Sequence, residues 1–595
     1  MKKIKRKFLI LSSLAIILVI AACSKKFLDK PPLGTLNPQI MANEKGVQGL
    51  LIGAYSLVDG EGTSGDGFAS GASNWIYGGV ASDDAYKGSD PTDVGVAAPM
   101  EQWTTLDPTN GAVPQKWAAC YAGAARCNDV LATMALASDI TADKAAVITA
   151  QVKFLRAFYH FELKKIFGNI PYADETLTPE NTDNTVDAWP KIEADLTAAI
   201  SALPDTWPGE PGRANVWAAK ALLAKVYMFE HNYSSAYPIL TDVIANGKTA
   251  GGAAYALNDH FYSNFNPAQK NSAESVFAAQ TSVQDNSSVD WGGDPNGNYG
   301  DILNFPYTGG PGACCGFYNP SQSLANSFKT DATTGLPLAD PYSGPAVSAE
   351  SGTAYSGTLD PRIDWTMGRP GIPYLDWGLH PGIAWIRNPT NDGNKSPIKN
   401  VYAASQKNLT DVGSAYWGPT ELVANNVNII RFADVILWAA ECEVEANNLA
   451  AATTHVNQIR GRMMNHPEAW VKTGPGGNAA NYNAAAAIYT SGANADNYKI
   501  GLYPTFASQD AGRTAVRTER QLELAMEGQR FFDLVRWGIA ATTINAFIAR
   551  EKAARPLKAT AVFVANKNEY MPIPQAEIDN VNSDGTQHLK QNQGY

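Results

Sequence analysis

The stretch RANVWAAKALLAKVYMFEHNYSSAYPILTDVIANG, residues 213–247, constrains this chain more than any other. Its apolar residues recur at helical rather than strand spacing. The pattern breaks at His231-Asn232 and closes at Asn246-Gly247, so it reads as two helices joined by a tight turn. Ala218, Ala221 and Ala224 are small enough to let helices approach closely, while Leu223, Val226, Tyr227 and Tyr237 fill the interface. One such hairpin cannot bury its own apolar face, so several must stack to make a core.

The rest of the chain supplies more helices. One starts after Asn43 and runs through EKGVQGLLIGAYSLV. PQKWAACYAGAARCNDVLATMA sets Trp117, Tyr121, Ala124 and Leu131 on one face. TADKAAVITAQVKFLRAFYHFELKKIFG opens on Thr141, an N-cap residue type, and closes on Gly168, with Pro171 beyond it. Its apolar face holds Val147, Phe154, Leu155, Phe158 and Phe161. Amphipathic helices also fit residues 185–202, and NIIRFADVILWAAECEVEANNLAAATTHVNQIRGR reads as a second hairpin. The expected fold class is mainly α: a tetratricopeptide-like scaffold of helical hairpins carrying a large irregular insert.

Two regions lose the helical period. Residues 59–109 are rich in Gly, Ser and Asp, with Trp75, Tyr77, Tyr86 and Trp103 among them, and residues 251–420 are full of Gly, Pro, Asn and aromatics. Irregular segments of that length in a compact protein are often functional. The expected organisation is an N-terminal helical region over 43–250, an insert over 251–420 and a C-terminal helical region over 421–595. Near the end, Pro572 and Pro574 in EYMPIPQAEIDNV impose an extended segment.

Residues 1–22 read as a secretory signal peptide: a basic start, then an apolar run from Phe8 to Ala22 that is too short to span a bilayer. Ile20-Ala21-Ala22-Cys23 is similar to a bacterial lipobox, which makes Cys23 the lipidated N-terminus and residues 23–42 a tether. Several acyl chains on one residue give stable anchoring, and Ser24, where an aspartate would favour inner-membrane retention, points to the outer membrane. Removing Lys2, Lys3, Lys5, Arg6 and Lys7 takes the formal charge from −11, less five, to −16. Such a polyanion does not bind nucleic acid by counterion release, and its charge suits a neutral or cationic ligand.

The other five cysteines form no disulfide framework. Cys120 and Cys127 lie seven residues apart on one helix, too far to bridge. Cys314 and Cys315 are adjacent, an arrangement in which bridges are rare, so small buried thiols are the expectation for most of them.

Five motifs in order then carry a resemblance. FLDKPPLGTL follows the lipidated cysteine; VKFLRAFYHFELKKIFGNIPY, RFADVILWAAECEVEANN, RTERQLELAMEGQRFFDLVRWG and MPIPQAEIDNV come after it. With these the chain resembles the SusD/RagB nutrient-binding lipoproteins of Bacteroidota over nearly its whole length. The resemblance implies a helical scaffold with an irregular insert, an outer-membrane lipoprotein, and a SusC-like TonB-dependent transporter as partner. It also implies capture and delivery of nutrients, most often glycans, without catalysis. Arg126-Cys127-Asn128 departs from the family's usual aliphatic middle residue, and the insert is longer than in small members.

In RTERQLELAMEGQRFFDLVRWG, Glu519, Glu523 and Glu527 fall at four-residue spacing. A catalytic carboxylate pair fits that spacing, but helix-surface and interhelix ion pairs with Arg520, Arg530 or a neighbouring helix fit it as well. Phe531, Phe532, Leu534 and Trp537 supply a core face. No HExxH, GxxxxGK[ST], GxSxG or CxxC motif is present, and the seven histidines show no metal-ligand spacing. No catalytic residue and no cofactor is therefore expected.

Ligand contacts are expected on the irregular regions. Sugar rings stack their C–H faces on aromatic side chains, and their hydroxyls need polar partners. Trp75, Trp103, Trp291, Tyr307, Phe317, Tyr318, Trp377 and Trp385 occur there. The expected platform residues are Trp75, Trp103, Phe317, Tyr318 and Trp385, with Asp83, Asp84, Asn319 and Arg387 as polar partners. Asp83, Asp84, Asp90 and Asp93 share one loop; calcium is one use for such oxygens, but the calcium-loop spacing is absent. The expected function is non-catalytic glycan binding. The alternatives are a surface glycoside hydrolase or a binder of a non-glycan nutrient such as peptide.

Overall fold

A computed structural model describes residues 38–60, 67–177, 182–287, 296–312, 314–411, 422–473, 481–583 and 585–595. The leader, Cys23 and Trp291 lie outside them. Helix α1 (Glu44–Tyr55) begins at Asn43, whose side chain accepts from the Gly46 amide at 3.0 Å. Helix α2 spans Val113–Met134. Helix α3 (Ala142–Phe167) is capped by Thr141 and stops at Gly168, whose φ of 70° is one that glycine adopts freely. Helix α4 (Trp189–Ala202) starts four residues later than the sequence pattern suggested, with a proline in its first turn. The hairpin of residues 213–247 forms as α5 (Val216–Phe229) and α6 (Tyr233–Asn246), capped by Asn215 and Asn232. Ala218, Ala221 and Ala224 are buried at their close approach.

Each helix from α1 to α6 packs on the next. Helix α6 then packs on α7 (Phe432–Glu445), across some 185 intervening residues, and α7 packs on α8 (Leu449–Asn465) and on α9 (Gln509–Leu524). The helical stack is therefore continuous, and the insert is looped out of it. The insert's entrance and exit are clasped by an antiparallel pair, β2 (Ser275–Ala279) with β4 (Val427–Arg431). A second pair joins the two irregular regions: β1 (Ala85–Gly88) runs antiparallel to β3 (Phe317–Pro320), in register Tyr86 to Asn319.

Arg517–Gly538 covers the end of α9, a turn, and the short helix α10 (Arg530–Arg536). Of the two kinds of ion pairing expected here, the interhelix kind is present and the helix-surface kind is corrected. Glu519 and Glu523 are fully buried, and their partners come from far along the chain. Glu519 binds Arg362 at 2.6 Å and Arg460 at 2.9 Å. Glu523 binds Arg362 at 3.0 Å, Arg431 at 2.6 Å and Arg462 at 2.6 Å. Glu527 takes Arg431 and Lys399. Glu274 and Asp360 bring the anions to five, matching five cations. Arg520 instead binds Asp434 and Asp533, and Arg530 binds Asp83. This cluster ties α8, α9, β4 and the insert together and exposes no carboxylate pair to a substrate. Phe531, Phe532 and Leu534 join the apolar core as expected. Gly528, in the turn, lies directly under residues 75–80; a Cβ on Gly78 would run into the Gly528 carbonyl.

Candidate functional site

Most of the expected platform is not surface. Trp75, Trp103, Phe317 and Tyr318 are each at most 4% exposed. Trp75 donates its indole N–H to the Gly300 carbonyl at 3.1 Å and packs against Phe317 and Tyr318. Trp103 stacks on Phe531 at 5.3 Å between ring centroids. These rings fasten the two irregular regions to each other and to α10, and that work leaves no face for a ligand.

The polar candidates fare similarly. Asp83 is buried and holds Arg530 through contacts of 2.8 and 3.1 Å. Burial alone would raise its carboxyl, but the Arg530 guanidinium outweighs that and holds it below the usual range. Asp84 accepts from the Met526 amide at 3.2 Å, and burial, then the Asp83 charge, push its carboxyl up to about 7. Asn319 donates to the Lys395 carbonyl at 2.8 Å. Asp83, Asp84 and Asn319 therefore bind the protein's own groups. No cluster of His, Cys, Asp and Glu among the described residues is arranged to hold a metal ion.

Trp385 and Arg387 come together with residues the platform list passed over. Tyr307, 39% exposed, donates its backbone N–H to the Trp385 carbonyl at 2.9 Å. The Arg387 guanidinium lies 5.2 Å from the Tyr307 ring centroid. It donates to the Ser89 hydroxyl at 2.9 Å, ion-pairs with Asp93, and approaches Asp90 at 3.9 Å. The Ser89 hydroxyl in turn donates to Asp93 at 2.8 Å. Beneath the loop, Lys87 is buried and donates to the carbonyls of Asp90 and Asp93 at 2.9 and 2.7 Å. The acidic loop is thus pinned from below by a cation, leaving its carboxylates beside Arg387.

Trp385 is the support of this ledge rather than its surface. It is 7% exposed and meets Tyr374 and His380 edge-on. Gly309 lies against its indole nitrogen, where a Cβ would come within 2.6 Å. Gly309 and Gly310 of FPYTGGPG therefore let the chain lie flat on Trp385. Leu379 and Ile383 are exposed apolar residues in the segment leading to Trp385. Cys314 and Cys315 form a disulfide, a correction to the buried-thiol expectation, while Cys120, Cys127 and Cys442 are free and buried. Sequence reading noted Tyr307 and Asp93 without choosing them, and missed Ser89, a single hydroxyl with no motif around it.

Chemically, the ledge offers one exposed aromatic ring beside a guanidinium, a hydroxyl and two carboxylates. That set matches the C–H faces and the hydroxyl donors and acceptors of a saccharide. A cleft of about 830 Å³ lies elsewhere, between α1, α2 and residues 210–213. Of its charged groups, Arg126 is held by the Gly53 carbonyl and Ser56 and Arg213 by Glu210 and Gln151, while burial pushes the Asp59 carboxyl up to about 7. Its rings are the buried Phe277 and the half-buried Tyr55, whose hydroxyl donates to Gln151 at 3.2 Å. We place the candidate site on the ledge.

Comparison with known proteins gives a consistent set. A family model described as the SusD family matches residues 273–595. Another, described as starch-binding associating with outer membrane, matches residues 75–228. A SusD-like protein of Formosa agariphila is 24% identical over 556 residues, covering 88% of each chain. A second from the same organism is 22% identical over 606 residues, covering 97% of each. Among solved structures, a laminarin binding SusD-like protein superposes with a TM-score of 0.65 at 22% identity, over 93% of this chain and 100% of the other. Surface glycan-binding protein A from Bacteroides thetaiotaomicron in complex with laminarihexaose gives 0.61 at 21%, over 92% and 99%. At these identities the structural likeness speaks to the fold.

Proposed function

The chain belongs to the SusD family, and from that premise we propose that it is a surface-exposed, lipid-anchored outer-membrane protein that binds glycans and passes them to a SusC-like TonB-dependent transporter. The observation that carries the reading is the ledge: an exposed Tyr307 ring with Arg387, Ser89 and Asp93 held at its edge. Two structural neighbours bear names that mention laminarin or laminarihexaose, so a β-glucan is the first ligand class to test. Catalysis has no part in this reading. The purified chain should be retained in affinity gels containing laminarin or another polysaccharide and release no new reducing ends. New reducing ends would make it a hydrolase, and passage through every glycan gel together with peptide capture would make it a peptide binder.

Anchoring and partnership give a further expected result. Cys23 supplies the thiol that a diacylglyceryl thioether requires. Cys23→Ala should therefore leave the protein outside the outer-membrane fraction after a carbonate wash. The wild-type protein, extracted gently from native membranes, should co-purify with a large TonB-dependent barrel. A Cys23→Ala protein that still fractionates with the outer membrane removes the lipobox reading, and repeated recovery of the free wild-type chain removes the partner.

A further inference from the structure

One covalent bond stands behind the ledge. Among the described residues Cys314–Cys315 is the sole disulfide, and it joins sequence neighbours. Bridging adjacent residues closes a small ring through the intervening peptide and removes its torsional freedom. Cys315 has a φ of 83°, in the region L side chains rarely adopt, and Gly316 follows at 71°. The Gly316 amide donates to the Cys314 carbonyl at 3.0 Å. Its own carbonyl accepts from the Ser89 amide at 2.7 Å. A Cβ on Gly316 would sit 3.1 Å from the Tyr307 Cβ and 3.6 Å from the Arg387 Cβ. Gly316 is therefore the spacer between the two ledge side chains, and it also positions Ser89, whose hydroxyl binds Arg387 and Asp93. The Ser89 contacts of the ledge are thus linked to the bridge through Gly316.

We infer that Cys314–Cys315 is a thiol–disulfide modification site that sets the affinity of the ledge: bridged, the ledge is fixed and holds its glycan; reduced, it loosens and releases it. This rests on the ledge being the glycan site. A dithiol is the co-reactant. Its thiolate attacks the sulfur of Cys314, the partly exposed member of the pair, and the Cys315 thiolate leaves and takes a proton. The second thiol of the reagent then displaces Cys314 and closes the reagent's own disulfide. Two electrons and two protons pass to the protein. Once the ring is open, nothing covalent holds Cys315 at positive φ. Its relaxation draws Gly316 away from Ser89 and widens the gap between Tyr307 and Arg387.

The pair is chemically distinguishable from the other described thiols. Burial raises the thiols of Cys120, Cys127 and Cys442, which keeps them protonated and unreactive. The experiment compares oxidised protein, protein reduced with dithiothreitol, and the Cys314→Ser/Cys315→Ser double variant. Laminarin affinity is measured by calorimetry and Ser89 amide exchange by mass spectrometry or NMR. Native alkylation after reduction should label both cysteines. Reduction should weaken binding about tenfold and speed Ser89 exchange, and reoxidation should restore both. The double variant should match the reduced protein, ignore reductant, and keep its thermal midpoint. Equal affinity in all three forms, or a pair that resists labelling without denaturant, overturns the inference. Should the oxidised protein bind no glycan at all, the glycan reading fails by itself. Ser89 exchange then decides the switch alone: unchanged on reduction, it fails too; faster and reversible, it stands for a ledge with another ligand.

Discussion

Glu523→Ala should lower the free energy of unfolding by about 3–5 kcal/mol, the range seen when one partner of a buried ion pair is deleted. Glu523 is fully buried and serves three guanidinium groups at once, those of Arg362, Arg431 and Arg462. The surrounding cluster is balanced at five cations and five anions, so deleting one anion leaves an uncompensated positive charge away from water. Each guanidinium also loses hydrogen bonds that no nearby solvent replaces. The contrast is Glu44→Ala, which breaks the Lys144–Glu44 pair at the surface, with side chains 54% and 37% exposed. Exposed pairs of that kind contribute about 0–1 kcal/mol. Denaturant midpoints followed by circular dichroism measure both. A loss below about 1 kcal/mol for Glu523→Ala would mean that the cluster relaxes or hydrates far more readily than its burial implies.

The same cluster fixes the sign of the acid response. Burial opposes ionisation of Glu523, yet Arg462, Arg431 and Arg362 hold its carboxyl well below the ordinary range. Burial likewise opposes ionisation of Glu527, Asp360 and Asp533, and neighbouring cations hold all three low. A depressed folded-state pKa contributes stability that is fully present above the unfolded value, about 4 for these carboxyls. That contribution is lost as pH falls through the folded value. Stability from these groups should stay flat between pH 7 and 5 and drop steeply below about pH 4. Glu523→Ala, already lacking one such group, should show a shallower acid limb.

Helix ends were legible because they are local. Asn43, Thr141 and Asn232 each cap the helix that follows, since a side-chain oxygen two or three residues from an orphan amide needs no tertiary context, while the Asn215 cap was not read in advance. The 213–247 hairpin was legible because spacing and small residues act over one or two turns. What the sequence could not disclose is which residues meet across long separations. Glu523 and Arg431 are 92 positions apart, and Glu523 and Arg362 161. The aromatic loops misled for a related reason. A segment without period still needs a core of its own, and Trp75, Trp103, Phe317 and Tyr318 provide it. Loss of period identified loops but said nothing about which rings the loops bury. Arg387 was chosen as a polar partner for sugar hydroxyls and lies beside Tyr307 in the structure, whereas Tyr307 was passed over because nothing local marks an exposed ring.

That distinction predicts two opposite kinds of failure among aromatic variants. Tyr307→Ala should weaken glycan binding about tenfold, as removal of a central aromatic contact does, with little change in thermal midpoint because the ring is two-fifths exposed. Arg387→Ala should weaken it comparably. The carboxylates it leaves behind, Asp90 and Asp93, are themselves 50% and 35% exposed, so water can solvate them and the fold tolerates the loss. The double variant should lose between about tenfold and a hundredfold, since adjacent residues in one contact need not add. Trp75→Ala and Trp103→Ala should behave in the reverse way. Each empties a packed site between elements, which costs about 3–5 kcal/mol, and whatever folded protein remains should bind glycan with nearly native affinity unless the ledge itself shifts. Affinity measured per folded molecule, alongside the denaturation midpoint, separates the two patterns. If Tyr307→Ala and Arg387→Ala bind normally, the site is not the ledge. If Trp75→Ala loses affinity while keeping its stability, that ring contacts ligand despite its burial.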